Sequence, residues 1–200
     1  MRYLVWSPGR SGSILVSMII KSTMEDQNFL VLYNHNNEKI IDETFGIVHC
    51  HNHKCFIDNL KKYTSIAVVR NIFDSTISAL ISKETNVWTI RSDDELEKYK
   101  KDIKTKIFEI NVNEFCKLAK HQDLQYTKVL SNINNIDLII NYENIKDNFS
   151  ILTTALNLNS MSENFEKSSP KKTPIDKIKQ VSNYSELLDA YKTLYIKNNF

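Results

Sequence analysis

The chain is poor in the residues that punctuate or staple a fold, with three glycines, three prolines and three cysteines in 200 residues. So little glycine and proline excludes collagen-like and low-complexity architectures and leaves few sharp turns. Three cysteines do not make the paired framework of a small secreted scaffold, and they favour a reducing, cytoplasmic setting. No apolar run reaches the roughly 20 residues that cross a bilayer. The strongest candidate, Ile14 to Ile20, is interrupted by Ser17 and follows a Pro-Gly turn. It reads as a core helix and not as the centre of a signal peptide, so no membrane partner is expected. A net charge of +2 lacks the strong basic excess of a nucleic-acid binder, and no nucleic-acid partner is expected either.

What is present is ordinary globular material. Hydrophobic residues make up 42% and charged residues 25%, enough for one full core, so the chain is expected to form a single domain over residues 1–200. Its richness in Asn, Ile and Lys is that of an AT-rich genome, microbial or viral. Strand-like runs are predicted at Arg2 to Trp6, Phe29 to Tyr33, Thr44 to His49, Ser65 to Val69 and Asp137 to Asn141. Helical patterns lie between them. That alternation predicts a three-layer α/β/α architecture around a central, mostly parallel sheet. From Ser92 to about His121 a capping serine, acids in the first turn and Leu96, Tyr99, Ile103, Ile107 and Ile110 at helical spacing predict a helix with a solvated charged face. Ser168 to Pro174 reads as a loop.

Two segments carry chemistry. Ser7-Pro8-Gly9-Arg10-Ser11-Gly12-Ser13 stands between the strand-like Tyr3 to Trp6 and the helix-like run from Ile14. A strand, glycine turn and helix in that order bring free backbone N–H groups to one point, where the helix dipole adds about half a positive charge and Arg10 a full one. The spacing differs from the G-x-x-x-x-G-K-[ST] loop of ATP-binding proteins, because Gly9 and Gly12 are too close and the basic residue precedes the last glycine. The second segment is the buried-strand run Thr64 to Val69, which ends on Arg70 and leads through Asn71-Ile72-Phe73-Asp74 into a helix. There Phe73, Ile77, Leu80, Ile81 and Glu84 share one side, while Ser75, Ser78 and Ser82 offer hydroxyls from another. Arg70 and Ser78 are placed to close on one small anion at the carboxyl end of the sheet.

These two segments together resemble the cofactor motifs of sulfotransferases that use 3′-phosphoadenosine 5′-phosphosulfate (PAPS). The late strand Asp137 to Asn141 with Tyr142-Glu143, and the run Ile151 to Leu158, are similar to that family as well. The resemblance implies a P-loop nucleoside-triphosphate-hydrolase-like fold and sulfuryl transfer from PAPS to an acceptor hydroxyl or amine, releasing adenosine 3′,5′-bisphosphate. It implies that Arg10, Ser11, Gly12, Ser13 and Ile14 hold the 5′-phosphosulfate, that Arg70 and Ser78 hold the 3′-phosphate, and that no metal is required. Lys171 and Lys172 are the nearest counterpart of a tail segment that also binds the 3′-phosphate. The expected partner is a small-molecule, sugar or peptide acceptor. The chain is short for the family, and loops covering the acceptor are the expected loss.

The segment Val48-His49-Cys50-His51-Asn52-His53-Lys54-Cys55 admits several readings. Extended throughout, it turns His49, His51 and His53 to one side, where three imidazoles could bind zinc, though without the usual cysteine knuckle. Alternatively these are plain core or surface histidines. The resemblance points to a general base, which it places at His51, with His49, two residues away on the same strand face, and Glu25, the counterpart of a glutamate used in other branches, as the alternatives. Two further functions compete: a P-loop kinase, which needs a magnesium-binding hydroxyl after a loop lysine and a strand-end carboxylate, and a nucleotide-binding protein that has lost its chemistry.

Overall fold

The computed structural model describes residues 2–24, 31–34, 46–88, 90, 92–103, 105–145, 149–158, 165 and 176–196. The strands are β1 (Tyr3–Trp6), β2 (Val31–Asn34), β3 (Ile47–Cys50), β4 (Thr64–Val69) and β5 (Leu138–Asn141). The helices are α1 (Ser13–Ser22), α2 (His53–Asn59), α3 (Ile72–Thr85), α4 (Asp93–Ile103), α5 (Val112–Leu130), α6 (Tyr142–Ile145), α7 (Ser150–Ala155), α8 (Lys177–Gln180) and α9 (Tyr184–Ile196). The chain falls into two compact units, 1–70 with 124–169, and 71–123 with 170–200.

The first unit holds a five-stranded sheet in the order β2-β3-β1-β4-β5. Every pairing is parallel, and Val5 stands between His49 and Ile66 in register. Strands buried on both faces need apolar side chains at successive positions, and Tyr3-Leu4-Val5-Trp6 supplies them, each 1% exposed or less. Tyr3, Val5, Ile47, Ile66, Val68 and Ile140 form one face and pack with Val16, Ile19 and Ile20 of α1 and Leu152 of α7. Trp6 projects from the other face, with its ring 5.8 Å from Phe56 of α2 and 5.7 Å, edge-on, from Tyr126 of α5. Helices thus cover both faces, the expected α/β/α layering. All five strands predicted from the sequence are present, with ends shifted by up to three residues among those described.

Chain direction places the site. The connection from β1 runs through α1 to β2, on the β3 side of the sheet, whereas β4 is followed in the sheet by β5 on the opposite side. The carboxyl ends of β1 and β4 therefore flank a point where the winding reverses, the place where open α/β sheets hold ligands. The segments beginning at Ser7 and Arg70 both leave from there. Beyond them, β4 and β5 are clamped at their start: the Ser65 N–H and hydroxyl both donate to Asp137 Oδ2 at 2.7 Å, and the Asp137 N–H donates to Ser65 Oγ at 3.0 Å.

The second unit is built on α3. Phe73, Ile77, Leu80 and Ile81 pack with Phe108, Phe115, Val181 and Leu187, and the Phe73 ring has Phe115, Tyr184 and Tyr191 within 5.5 Å, centroid to centroid. Two expectations are corrected here. The helix predicted from Ser92 begins as expected, with Ser92 Oγ accepting the Glu95 N–H, but it ends at Ile103. The Phe108 N–H and carbonyl bond instead to the Gln180 carbonyl and the Ser182 N–H, and Asn111 caps a new helix by accepting the Glu114 N–H. Ile107 consequently faces solvent, 58% exposed. On the serine side of α3, two of the three expected hydroxyls are turned inward, because Ser75 donates to Gln122 Oε1 at 2.7 Å and Ser82 is covered. Satisfied internally, the Ser75 hydroxyl is not offered to a ligand.

Candidate active site at the ends of β1, β3 and β4

After Trp6 the chain turns through two left-handed residues, Arg10 at φ 66° and Gly12 at φ 89°, before α1 begins. Gly12 is needed for two reasons. Its φ disfavours any side chain, and a Cβ there would lie 2.2 Å from Cδ2 of Tyr142. The helix start carries no side-chain cap and no acidic residue in its first turn. The N–H groups of Ser13, Ile14 and Leu15 thus meet no acceptor within the helix, and the positive end of its dipole is left for an anion.

Beside this turn runs a chain of hydroxyls and imidazoles. The Ser7 hydroxyl donates to Ser13 Oγ at 2.7 Å, and Ser13 Oγ lies 2.5 Å from His49 Nε2. Ser7, Ser13 and His49 are buried. His51, past the end of β3, bonds through Nδ1 to the Ser7 carbonyl at 2.7 Å. A carbonyl oxygen only accepts, so Nδ1 carries the proton and the neutral ring has its lone pair on Nε2. The two imidazoles meet edge to face, 4.7 Å between centroids.

The extended reading of the histidine segment fails after Cys50. Asn52 accepts the backbone N–H groups of Lys54 and Cys55 at 2.9 and 3.1 Å and starts α2, so His53 belongs to a helix and does not continue the strand face of His49 and His51. Asparagine is among the strongest helix initiators, and this cap overrides the alternation. Among the described residues no group of three His, Cys, Asp or Glu side chains is arranged to hold a metal ion.

Arg70 joins the loop from the other strand. Its Nη1 donates to the Arg10 carbonyl at 2.6 Å, its guanidinium carbon lies 4.6 Å from the centre of the Tyr142 ring, and Nε is 3.7 Å from Glu143 Oε1. That last distance is too long for a hydrogen bond, and Nε, though buried, makes none among the described residues. The Arg70 N–H donates to the phenol oxygen of Tyr126 at 2.9 Å, and the same oxygen is 3.1 Å from Ser11 Oγ. Burial pushes the Tyr126 phenol above its usual range, outweighing the lowering by its hydrogen bonds to Ser11 and Arg70, and it stays protonated.

The structure therefore brings together Ser11, Gly12, Ser13, Ile14, the backbone of Arg10, Arg70 and His51. Ser78 lies in the second turn of α3, in the second unit, and is 8% exposed. Glu25, Lys171 and Lys172 fall outside the described residues. Sequence reading missed Tyr126 and gave Tyr142 and Glu143 no role. The one signal for Tyr126 was its place on the buried stripe Phe115, Ala119, Gln122, Tyr126 and Val129 of α5, where a phenol needs a polar partner.

No protein-family model matches the chain, and no curated protein matches it in sequence. Among solved structures, a sulfotransferase from Alicyclobacillus acidocaldarius is similar, with a TM-score of 0.50 over 95% of this chain and 90% of that one. The chain has a sulfotransferase-like fold. At 12% identity the likeness establishes the architecture and transfers no residue roles.

Proposed function

We propose that the protein is a PAPS-dependent sulfotransferase. The observation that carries this reading is the junction of the two candidate anion-binding segments: a helix start without cap or acid, tied through the Arg10 carbonyl to the half-buried Arg70, whose buried Nε makes no hydrogen bond among the described residues. A ligand with phosphate at both ends of its ribose fits such a pair of cations and dipoles better than one with a single phosphate chain.

PAPS would supply a sulfuryl group on a phosphate leaving group. The chain's own residues do the rest. The first-turn N–H groups of α1 and the charge of Arg10 neutralise the oxygen that bears the growing negative charge. Arg70 anchors the far phosphate and fixes the direction of the reacting group. His51 takes the acceptor's proton at Nε2, the nitrogen that its bond to the Ser7 carbonyl leaves with the lone pair, and a base so placed contributes about a hundredfold to ten-thousandfold in rate. Ser78 is assigned to the 3′-phosphate by the resemblance alone. The acceptor is a small molecule, a sugar or a peptide side chain.

A kinase is the weaker reading because Gly12 is followed by Ser13 with no loop lysine between them. The test is calorimetry with adenosine 3′,5′-bisphosphate and ADP, joined to a transfer assay with and without EDTA. Preference for the bisphosphate and EDTA-resistant sulfuryl transfer are expected. Equal binding of ADP, or phosphoryl transfer that needs magnesium, overturns the proposal.

A further inference from the structure

In phosphate-binding loops that work with magnesium, the hydroxyl at the helix start and a carboxylate from a nearby strand end hold the ion together. In this chain the hydroxyl is Ser13, and the side chain that reaches it from β3 is the buried imidazole of His49, Nε2 to Oγ 2.5 Å. Magnesium takes oxygen ligands, and an imidazole in contact with the hydroxyl gives it no second one.

The hydrogen-bond count at Ser13 gives this contact a direction. The Ser7 hydroxyl already donates to Ser13 Oγ at 2.7 Å. A serine oxygen has one proton and two lone pairs. If Nε2 also donates, both lone pairs are used and the Ser13 proton is left for a ligand oxygen at the start of α1. If Nε2 accepts instead, that proton is consumed inside the protein.

We infer that His49 is a positioning and specificity-determining residue. As an Nε2–H donor it turns the Ser13 hydroxyl proton toward the nucleotide's 5′-phosphate, and by standing where a carboxylate would be needed it commits the loop to metal-free nucleotides. His49 acts through Ser13 and does not touch the reacting atoms. The inference rests on the sulfotransferase reading for the identity of the nucleotide, but its metal arm can be judged without that reading.

The experiment is calorimetry of the full chain and of His49→Gln, His49→Phe and His49→Asp, each checked for folding by circular dichroism. Adenosine 3′,5′-bisphosphate and ADP are titrated with and without magnesium. Glutamine keeps an N–H donor near the place of Nε2 and should bind nearly as wild type does, whereas phenylalanine keeps the ring and loses the donor and should bind both nucleotides about tenfold more weakly. Aspartate supplies the missing carboxylate, so ADP binding should become tighter when magnesium is added, a response absent from wild type. Wild-type affinity in a folded His49→Phe overturns the inference. Should that variant not fold, a His49→Asp protein indifferent to magnesium overturns it. If wild type binds ADP as tightly as the bisphosphate, the sulfotransferase reading falls and the inference is judged on ADP alone. If wild type binds neither nucleotide, both fall.

Discussion

Nη1 of Arg70 donates to the main-chain carbonyl of Arg10 at 2.6 Å, so the cation at the end of β4 is fastened to the turn that follows β1. The guanidinium is planar and lies against the Tyr142 ring, with Nε turned toward Glu143. One side chain thereby sets the spacing between the two segments proposed to bind anions. Lysine, a point charge without a fork, reproduces only part of this geometry.

Arg70→Ala should therefore remove most of the preference for adenosine 3′,5′-bisphosphate over ADP. A buried charge-assisted contact of this kind is worth about 1.5–3 kcal/mol, roughly tenfold to a hundredfold in affinity. Arg70→Lys should recover only part of it. Calorimetry of the three proteins checks this, and an unchanged preference in Arg70→Ala would detach the arginine from the nucleotide.

Gly12 and Gly9 make an internal control for the turn. A methyl group at Gly12 meets the Tyr142 ring at 2.2 Å on a backbone at φ 89°, whereas one at Gly9 has nothing within 4 Å. Gly12→Ala should lower stability by about 1–3 kcal/mol through overpacking and backbone strain, while Gly9→Ala stays close to wild type. Adding Tyr142→Ala to Gly12→Ala should restore only the clash component. Denaturant unfolding of the set checks this. Equal effects at the two glycines would mean that the ring does not lie on the turn.

Much of this was legible in the sequence, for reasons that differ by residue. The five strands and the turn from Ser7 to Gly12 declare themselves because buried parallel strands require unbroken apolar runs and the turn requires glycine. Arg70 was found because it ends such a run. Tyr126 was not, since its partner Ser11 is 115 residues away and nothing local marks a phenol as a long-range acceptor. His49 and His51 were read on one strand face together with His53, whereas the ring nitrogen that meets each partner, on which their proposed roles rest, is visible only in the geometry. The false continuation of the Ser92 helix past Ile103 has a plainer cause: apolar spacing persisted through Ile107 and Ile110, while the Asn111 cap and the backbone pairing of Phe108 decided the break.

Tyr126 gives a prediction in pH. Burial raises its phenol above the ordinary value of 10.0, so the folded state holds the proton longer than the unfolded chain does. The stability this represents is complete below about pH 10 and is lost as pH rises through the higher folded value. Tyr126→Phe removes both the titration and the oxygen that accepts the Arg70 N–H. It should cost about 1–3 kcal/mol at neutral pH by leaving that N–H unsatisfied, yet lose less additional stability between pH 9 and about 11 than wild type does. Thermal melts across that range check the difference between the two proteins, which cancels the contribution of the other tyrosines.

The sharpest prediction concerns His51. Its Nδ1 proton is committed to the Ser7 carbonyl, which leaves Nε2 as the only ring nitrogen able to receive a proton from an acceptor hydroxyl. His51→Ala should lower the turnover rate about a hundredfold or more while leaving the affinity for adenosine 3′,5′-bisphosphate nearly unchanged, as the proposed base acts on the acceptor and not on the nucleotide. His49→Phe should show the converse, with its loss in nucleotide affinity, since His49 contacts Ser13 of the phosphate turn. Steady-state kinetics on a confirmed acceptor, paired with calorimetry, separates the two histidines. A His51→Ala enzyme that turns over at the wild-type rate removes His51 as the base, and Glu25→Gln then becomes the variant to measure. If that variant is inactive, the proton is taken by a carboxylate following α1. If it too is fully active, transfer proceeds without either side chain as base.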